Sequence, residues 1–280
     1  MNAKELQRYS PYALLGTPVD ISLSTAAIHN HTKPYSDGFA SPEAYVDTVL
    51  GEYGVDLLII TDHNSLKGSE KAMEYAVHLG YGGDRVMSGV EVTTSDGHVL
   101  AIGVDGEIPR DRSAEETNYL IHKKHGLSFV AHPQLRFAKG MRRERIRKVM
   151  ENPYKNRQFD GLEGLNGSGE AMRNTFLLGT LLFPENSNRE ALCLWEQDMV
   201  ERLALIGGMD EHGKRNMVTV LTQYPGHDFR EAIKKRQTRV IYLPERLQGK
   251  HAFEEAGYMI GAVLKTKYTW YMHHKRIGGD

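Results

Sequence analysis

The chain has a single cysteine, no long apolar run and no marked excess of one charge. One cysteine, Cys193, excludes an internal disulfide and is typical of a reducing compartment. Residues 1–16 contain no basic segment followed by an apolar stretch, so we predict neither a signal peptide nor a membrane span. A formal net charge of −1 gives no global basic field of the kind that attracts nucleic acid. Together these absences lead us to predict a cytoplasmic protein.

The residues that are present indicate an ordinary globular α/β protein, with 40% hydrophobic and 25% charged residues. Ser41-Pro42-Glu43 has the cap, proline and acid that begin a helix, and Gly54 suits its end. The apolar run 55–61 that follows is typical of a parallel strand covered on both faces. Repeated strand–helix units of this kind predict a parallel sheet, closed or open.

The predicted elements cover most of the 280 residues. Helices are predicted over about 41–54, 68–80, 113–126, 141–151, 188–203, 227–236 and 250–265, and strands over about 23–28, 55–61, 85–92, 98–104, 127–131, 159–165, 204–208, 217–221 and 239–243. Without an internal repeat or a low-complexity linker, we predict one domain, over 23–245, after a lead-in at 1–22 and before a helical tail at 246–280.

Two histidines, His29 and His31, stand one residue apart at the carboxyl end of the first predicted strand. Strand side chains alternate with a period of two, so both imidazoles are expected on the same side. Neutral imidazole is a good ligand for zinc, iron and manganese. An HxH pair alone is equally compatible with packing, and its meaning depends on what the other strands carry.

Metal-capable residues also accompany later strands. His63, Glu91, His98, His132, Asp210 and His212 all lie at or just after a predicted strand. In a barrel, residues at the carboxyl ends of strands converge on one face, where barrel enzymes have their chemistry. Each residue taken alone could be a satisfied core or surface residue, but the set predicts a multinuclear metal site.

These residues lie in seven ordered motifs: HNH at 29–31, SDG at 36–38, TDHN at 61–64, GVEVTT at 89–94, GH at 97–98, AHP at 131–133 and GGMDEHG at 207–213. The set resembles the PHP family, the polymerase and histidinol phosphatase metal-dependent phosphoesterases. GVEVTT followed by GHVLAIG is similar to the branch with carbaryl-hydrolase-like metallohydrolases. The resemblance implies a distorted (β/α)7 barrel in a single domain, with two or three divalent ions of Zn, Mn or Fe.

Carried over residue by residue, the resemblance implies three groups of ligands. One ion would be held by His29, His31, Glu91 and Asp210, a second by Glu91, His98 and His132, and a third by Asp37, His63 and His212. Glu91, Asp210 and His212 would be catalytic, Glu91 as the bridge between two ions and either of the others as proton donor. The sequence departs from the family pattern in a longer gap before Asp37 and in Met209, which replaces a small residue.

This centre implies a metal-dependent phosphoesterase that attacks a small phosphate mono- or diester with a hydroxide shared by the ions. The alternatives are a carbamate or carboxylic ester hydrolase of the same fold and a catalytically silent metal-binding module. A silent module would have lost ligands, whereas all nine positions hold competent side chains. The sequence therefore favours an enzyme with a small-molecule phosphoester substrate, and it does not identify that substrate or the oligomeric state.

Three further features have a functional and a structural interpretation. Arg136 is a candidate for binding substrate phosphate or a surface arginine, and Asn166 lines the pocket or occupies a turn before Gly167. The basic run 142–148 is compatible with nucleic-acid binding. Its mixed charges and lack of aromatic residues favour a solvated helix face, so we predict that nucleic acid is not a partner.

Overall fold

The computed structural model describes residues 20, 22–135, 138–168, 187–210, 212 and 218–243. The strands are β1 Ser24–Asn30, β2 Leu57–Ile60, β3 Val86–Met87, β4 Gly89–Thr93, β5 His98–Ile102, β6 Leu127–Val130, β7 Gly161–Asn166, β8 Ala204–Gly208, β9 Val220–Tyr224 and β10 Arg239–Tyr242. The α-helices are α1 Pro42–Tyr45, α2 Lys67–His78, α3 Ala114–Lys123, α4 Arg143–Met150, α5 Ser187–Leu194 and α6 Phe229–Lys234. A π-helical turn over Val46–Glu52 continues α1, another over Trp195–Met199 continues α5, and Lys155–Arg157 form a 3-10 turn.

The strands form two five-stranded sheets, with the orders β10-β9-β1-β2-β3 and β4-β5-β6-β7-β8. The predicted α/β class is confirmed, but the predicted parallel sheet is found only in part, because both sheets also contain antiparallel pairs. Only the turn 94–97 separates β4 from β5, and so short a link permits only a hairpin, so β5 runs antiparallel to β4. Strand β5 is also antiparallel to β6, its other neighbour. The hairpin pairs Thr93 with His98, so the start of β5 lies at the edge where β4 ends.

Backbone hydrogen bonds join both edge strands of the second sheet, β4 and β8, to the region of β1 and β2 in the first sheet, beside the predicted ligands. Met209 N, after β8, donates to Ile28 O in β1 over 2.8 Å. At the other junction, Glu91 N donates to Asp62 O over 3.1 Å and Asn64 N donates to Glu91 O over 2.9 Å. The strands themselves are hydrogen-bonded as two separate sheets, so closure into a barrel remains a prediction.

Two predicted strands differ from the structure. The strand predicted over 85–92 is split into β3 and β4, which pair with β2 and β5 in different sheets. The split falls at Ser88, whose Oγ donates to Val104 O over 2.7 Å. The strand predicted at 217–221 lies at β9, three residues further on. Apolar character marks a buried strand but leaves its ends and its pairing partner undefined.

The core is formed by apolar strand residues that the helices cover on the outside. Ile28, Leu58, Leu100 and Phe129 are fully buried. The predicted helix starts are confirmed at two caps, where Ser41 Oγ accepts from the backbone at α1 and Ser113 Oγ accepts at α3. Each cap satisfies one backbone N–H that the first helical turn leaves without a partner.

The basic helix α4 is bonded to acidic side chains of its own chain. Arg143 and Arg147 both donate to Asp198 Oδ2, over 2.8 and 2.6 Å. Arg145 forms ion pairs with Asp96 and Glu115. The apolar side of α4 packs into the core through Ile146, Val149 and Met150. Three of the basic side chains thus have acidic partners within the chain.

We therefore expect no tight binding of single- or double-stranded oligonucleotides. A platform with six to ten phosphate contacts would lose about 10³–10⁵ in affinity between 50 and 200 mM salt. The measurement is binding at these two salt concentrations, for the wild type and for Arg142→Glu/Arg143→Glu. Steeply salt-dependent binding that the double substitution removes would contradict the prediction and indicate a nuclease.

Several predictions fall on residues that the structure does not describe. Most of the lead-in predicted at 1–22, Arg136, and the tail predicted at 246–280 with its helix at 250–265 lie outside the described residues. In the part of the chain that is described, no helix is both long and apolar enough to cross a membrane. The single-domain organisation remains a prediction.

Candidate metal centre

All nine predicted ligands lie in the described residues, and their side chains gather at one place in the fold. Seven of them are buried, namely His29, His31, Glu91, His98, His132, Asp210 and His212. The other two, Asp37 and His63, have side chains that are 36% and 31% exposed. The cluster therefore has a closed floor and an opening beside these two residues.

The two histidines of the HNH motif converge, but not through regular strand alternation. His29 has a φ of 65°, and the pairing of β1 with β2 shifts register between Ala27 and Asn30. Both rings nevertheless face the same carboxylates. Their Nε2 atoms lie 3.7 Å (His29) and 3.3 Å (His31) from Asp210 Oδ1. The predicted convergence is observed, while the geometric reason given for it was wrong.

Glu91 is at the centre of the cluster and contacts five imidazoles. Its Oε1 lies 2.8 Å from His98 Nδ1 and 2.9 Å from His132 Nε2. Its Oε2 lies 3.0 to 3.4 Å from a nitrogen of His29, His31 and His63. A fully buried carboxylate with imidazoles on both oxygens has the arrangement expected of a bridging ligand.

Within the described part of the chain, potential ligand atoms form four groups, each with all atoms within 4.8 Å of one another. The groups are His31–Asp37–His63–His212, His29–His31–Asp210, His29–Glu91–His132 and His63–Glu91–His98. Two of them match predicted sets closely. The predicted set of Glu91, His98 and His132 is divided, because His98 groups with His63 and His132 groups with His29.

The longer gap before Asp37 does not separate it from the cluster. Asp37 Oδ2 lies 3.3 Å from His212 Nε2 and 3.7 Å from His63 Nε2. Two further hydrogen bonds hold this side of the centre together. Phe39 N donates to His212 O over 2.9 Å, and His63 N donates to Ser36 Oγ over 3.2 Å.

The charges of the cluster keep its carboxylates ionised. Burial alone would raise the pKa of Glu91, but the nearby imidazoles, His98 foremost, hold it well below its usual range. Asp210 is likewise shifted down, by His29 and His31. Burial lowers the pKa of His31 to about 4, whereas Asp37 and Asp210 overcome burial and raise the pKa of His212 to about 10. His31 is therefore neutral at pH 7, the form that donates a lone pair to a metal.

Several buried atoms of the cluster are suited to metal binding. Among the described residues, His29 Nε2, His31 Nε2, His63 Nδ1 and Glu91 Oε2 have no hydrogen-bond partner. Buried polar atoms without a partner are costly, and most have one in folded proteins. Imidazole nitrogens and carboxylate oxygens converging in this way fit divalent transition metals. The residues present therefore fit the predicted metal centre.

Two carboxylates that are buried at the site were not among the residues predicted from the sequence. Glu163 Oε1 lies 2.9 Å from His29 Nδ1. Asp62 accepts from both Thr32 N and Thr32 Oγ1 over 2.6 Å, and burial raises its pKa to about 6. The available signals were an acid inside the buried strand GLEGLN, and the acid next to His63 in TDHN.

Of the two residues predicted to bind substrate, Asn166 lies in the described part of the chain and Arg136 does not. Asn166 is buried, and its Nδ2 donates to Glu163 Oε2 over 3.1 Å and to Asp210 Oδ2 over 3.2 Å. Substrate contact by Asn166 or by Arg136 remains a prediction. Met209 is buried, and its sulfur accepts from Val220 N over 3.1 Å.

Comparison with known proteins gives matches mainly at the level of the fold. No family model matches the chain. A protein of Methanocaldococcus jannaschii described as uncharacterised is 27% identical over 118 residues, which are 39% of this chain and 67% of that protein.

Three solved structures share the architecture. A two-domain protein of Bacteroides vulgatus that contains a predicted PHP-like metal-dependent phosphoesterase has a TM-score of 0.59 and 18% identity, over 83% of this chain and 72% of that one. PsfC of Pseudomonas syringae has a TM-score of 0.54 and 12% identity, over 89% and 100%. An amidohydrolase of Chromobacterium violaceum, with sulfate and no metal, has a TM-score of 0.52 and 14% identity, over 78% and 98%.

At these identities the likeness shows the fold. The chain therefore has the mixed α/β fold of a group of proteins that includes one with a predicted PHP-like phosphoesterase and an amidohydrolase. Membership of the PHP family, and of its carbaryl-hydrolase-like branch, remains a prediction.

Proposed function

We propose that the chain is a PHP-type, metal-dependent hydrolase that cleaves a small phosphate mono- or diester. The observation that carries this proposal is the buried carboxylate of Glu91, which has imidazole nitrogens on both of its oxygens. We further propose that β1, β2 and β4 to β8 make a distorted seven-stranded barrel. The bonds from Met209 to Ile28 and between Glu91 and residues 62 and 64 support its closure.

Seven of the nine proposed ligands are buried and form the floor of the centre, while the partly exposed Asp37 and His63 lie at its mouth. His29, His31 and Asp210 would hold one ion against Glu91. His98 and His132 belong to different groups of potential ligand atoms, but both contact Glu91 Oε1, at 2.8 and 2.9 Å, and would hold another ion together with Glu91. Asp37, His63 and His212 would hold a third at the mouth. When bound, divalent ions supply Lewis acidity toward phosphoryl oxygens and lower the pKa of water to about 7.

The chain's own residues determine where substrate approaches and where protons are held. The floor is buried, so substrate would enter beside the partly exposed Asp37 and His63. Of the two predicted proton donors, Asp210 lies against His29 and His31, whereas His212 Nε2 lies 3.3 Å from the partly exposed Asp37. That position favours His212 as the donor in a centre of two ions, since a third ion would take its Nε2.

Protein purified without chelator is expected to contain two or three Mn, Zn or Fe ions per chain and to hydrolyse phosphoesters. Metal content is measured by elemental analysis. Activity is measured on phosphomonoesters, phosphodiesters and aryl esters with each metal added. Substoichiometric metal that neither Mn nor Zn restores would contradict the proposal.

The same panel separates the alternatives. Turnover of carboxylic or carbamate esters alone would favour the second predicted activity, for which the amidohydrolase neighbour offers a structural parallel. Full metal content without any turnover of the panel would favour a silent module. The nine intact ligand positions argue against that outcome.

A further inference from the structure

Three of the proposed ligands have left-handed backbones. The φ angles are 65° at His29, 25° at His132 and 48° at Asp210. Residues other than glycine rarely adopt positive φ, and they keep it only where the surrounding structure enforces it. The ligand geometry therefore depends on groups that hold these three residues in place.

Two side chains of β7 bond all three residues. Glu163 Oε1 lies 2.9 Å from His29 Nδ1, and Glu163 Oε2 accepts from His132 N over 2.5 Å. Asn166 Nδ2 donates to Glu163 Oε2 and to Asp210 Oδ2 over 3.1 and 3.2 Å. We call Glu163 and Asn166, which are both buried, the β7 bracket.

The adjacent strand leaves room for this carboxylate. In the pairing of β7 with β8, Glu163 lies opposite Ile206 and Asn166 opposite Gly208. A Cβ placed on Gly208 would lie 1.5 Å from Glu163 Oε1 and 3.0 Å from His29 Cβ. Only glycine at 208 lets the Glu163 carboxylate reach His29.

We propose that Glu163 is a positioning residue of the metal centre, with Asn166 as its partner. By accepting from His29 Nδ1–H, the carboxylate leaves the Nε2 lone pair of His29 directed toward Glu91 and Asp210. By accepting from His132 N, it fixes a second ligand. Carboxylates behind metal-binding histidines typically contribute 10–100-fold to metal affinity. This inference rests on the proposed metal centre.

Glu163→Gln tests the role with little change in volume. The two oxygens of Glu163 both face N–H donors, and glutamine would oppose one of them with an N–H₂ group. The Kd for Zn²⁺ and for Co²⁺, from chelator competition, is expected to rise about 10–100-fold. The visible spectrum of bound Co²⁺ should change as well, because the ligand field at His29 is altered.

Asp160→Asn is the matched control. Asp160 precedes β7 and is hydrogen-bonded to His122 Nε2 over 2.8 Å. The substitution therefore removes another carboxylate–histidine pair, one that contacts no proposed ligand. It is expected to leave the Co²⁺ spectrum and the metal Kd unchanged, even where it lowers the melting temperature. A general loss of packing would affect both variants alike.

Gly208→Ala provides an independent test with Glu163 retained. The added methyl should displace the carboxylate and weaken Co²⁺ binding, whereas Glu163→Ala/Gly208→Ala should bind no more weakly than Glu163→Ala alone. If Glu163→Gln does not fold, the comparison of these three variants tests the positioning role of Glu163 instead. Wild-type protein that binds neither ion would refute the proposed metal centre. If the wild type binds the ions and both Glu163→Gln and Gly208→Ala keep its affinity and its Co²⁺ spectrum, the positioning role alone is refuted.

Discussion

Replacing Glu91 with glutamine is expected to lower phosphoester turnover by about 10³-fold, the scale on which a single preorganised electrostatic group acts in catalysis. Both carboxylate oxygens face imidazoles: Oε1 is hydrogen-bonded to His98 and His132, and nitrogens of three other histidines lie 3.0 to 3.4 Å from Oε2. An amide supplies neither the negative charge nor a second strong oxygen donor between two cations. Its N–H₂ group would also face imidazole nitrogens whose lone pairs are needed for metal.

The fold should survive this change, because glutamine has nearly the volume of glutamate and leaves the strand pairing of β4 intact. Glu74→Gln is the matched control: it makes the same chemical change at an exposed position of α2 that pairs with Lys71. Turnover, metal content and melting temperature are measured for both variants. Near-normal turnover by Glu91→Gln with its full metal content would show that Glu91 is not the bridge.

The gathering of the nine ligands could be predicted because their motifs follow strands, and strand ends are recognisable in sequence. The apolar run before His63 and the caps at Ser41 and Ser113 locate their elements closely. His98 differs from His63, His132 and Asp210, because it begins its strand whereas those three follow theirs. Only the hairpin that reverses β5 explains how it reaches Glu91.

The supporting contacts could not be predicted, because they depend on register between strands that are distant in sequence. Glu163 in GLEGLN can be recognised as an acid within a predicted strand, but nothing local shows which ligands its carboxylate contacts. Its role emerges only from the alignment of β7 with β8 and from the space at Gly208. The ion pairs of the α4 arginines could not be predicted for the same reason, since Asp198 is 55 residues away from Arg143 in the sequence.

Removing the metal is expected to abolish activity and to lower the melting temperature, with both restored by Mn²⁺ or Zn²⁺. An ion that binds only the folded state stabilises it by about 4.1 kcal/mol at a free concentration of 1,000 times Kd. At about 2 °C per kcal/mol for a chain of this size, one such ion corresponds to roughly 8 °C. Without ions, His29 Nε2, His31 Nε2 and Glu91 Oε2 would stay buried with no hydrogen-bond partner among the described residues.

The measurement is activity and thermal unfolding before dialysis against chelator, after it, and after metal is added back, with elemental analysis at each stage. Glu91→Gln gives an internal check, because a centre that has lost its bridging anion should respond less to both chelator and added metal. The shift should therefore be largest in the wild type and in Glu74→Gln. Protein shown to be free of metal that keeps its turnover and its melting temperature would mean that the buried histidines are packed polar residues, since their lone pairs would then serve neither catalysis nor stability.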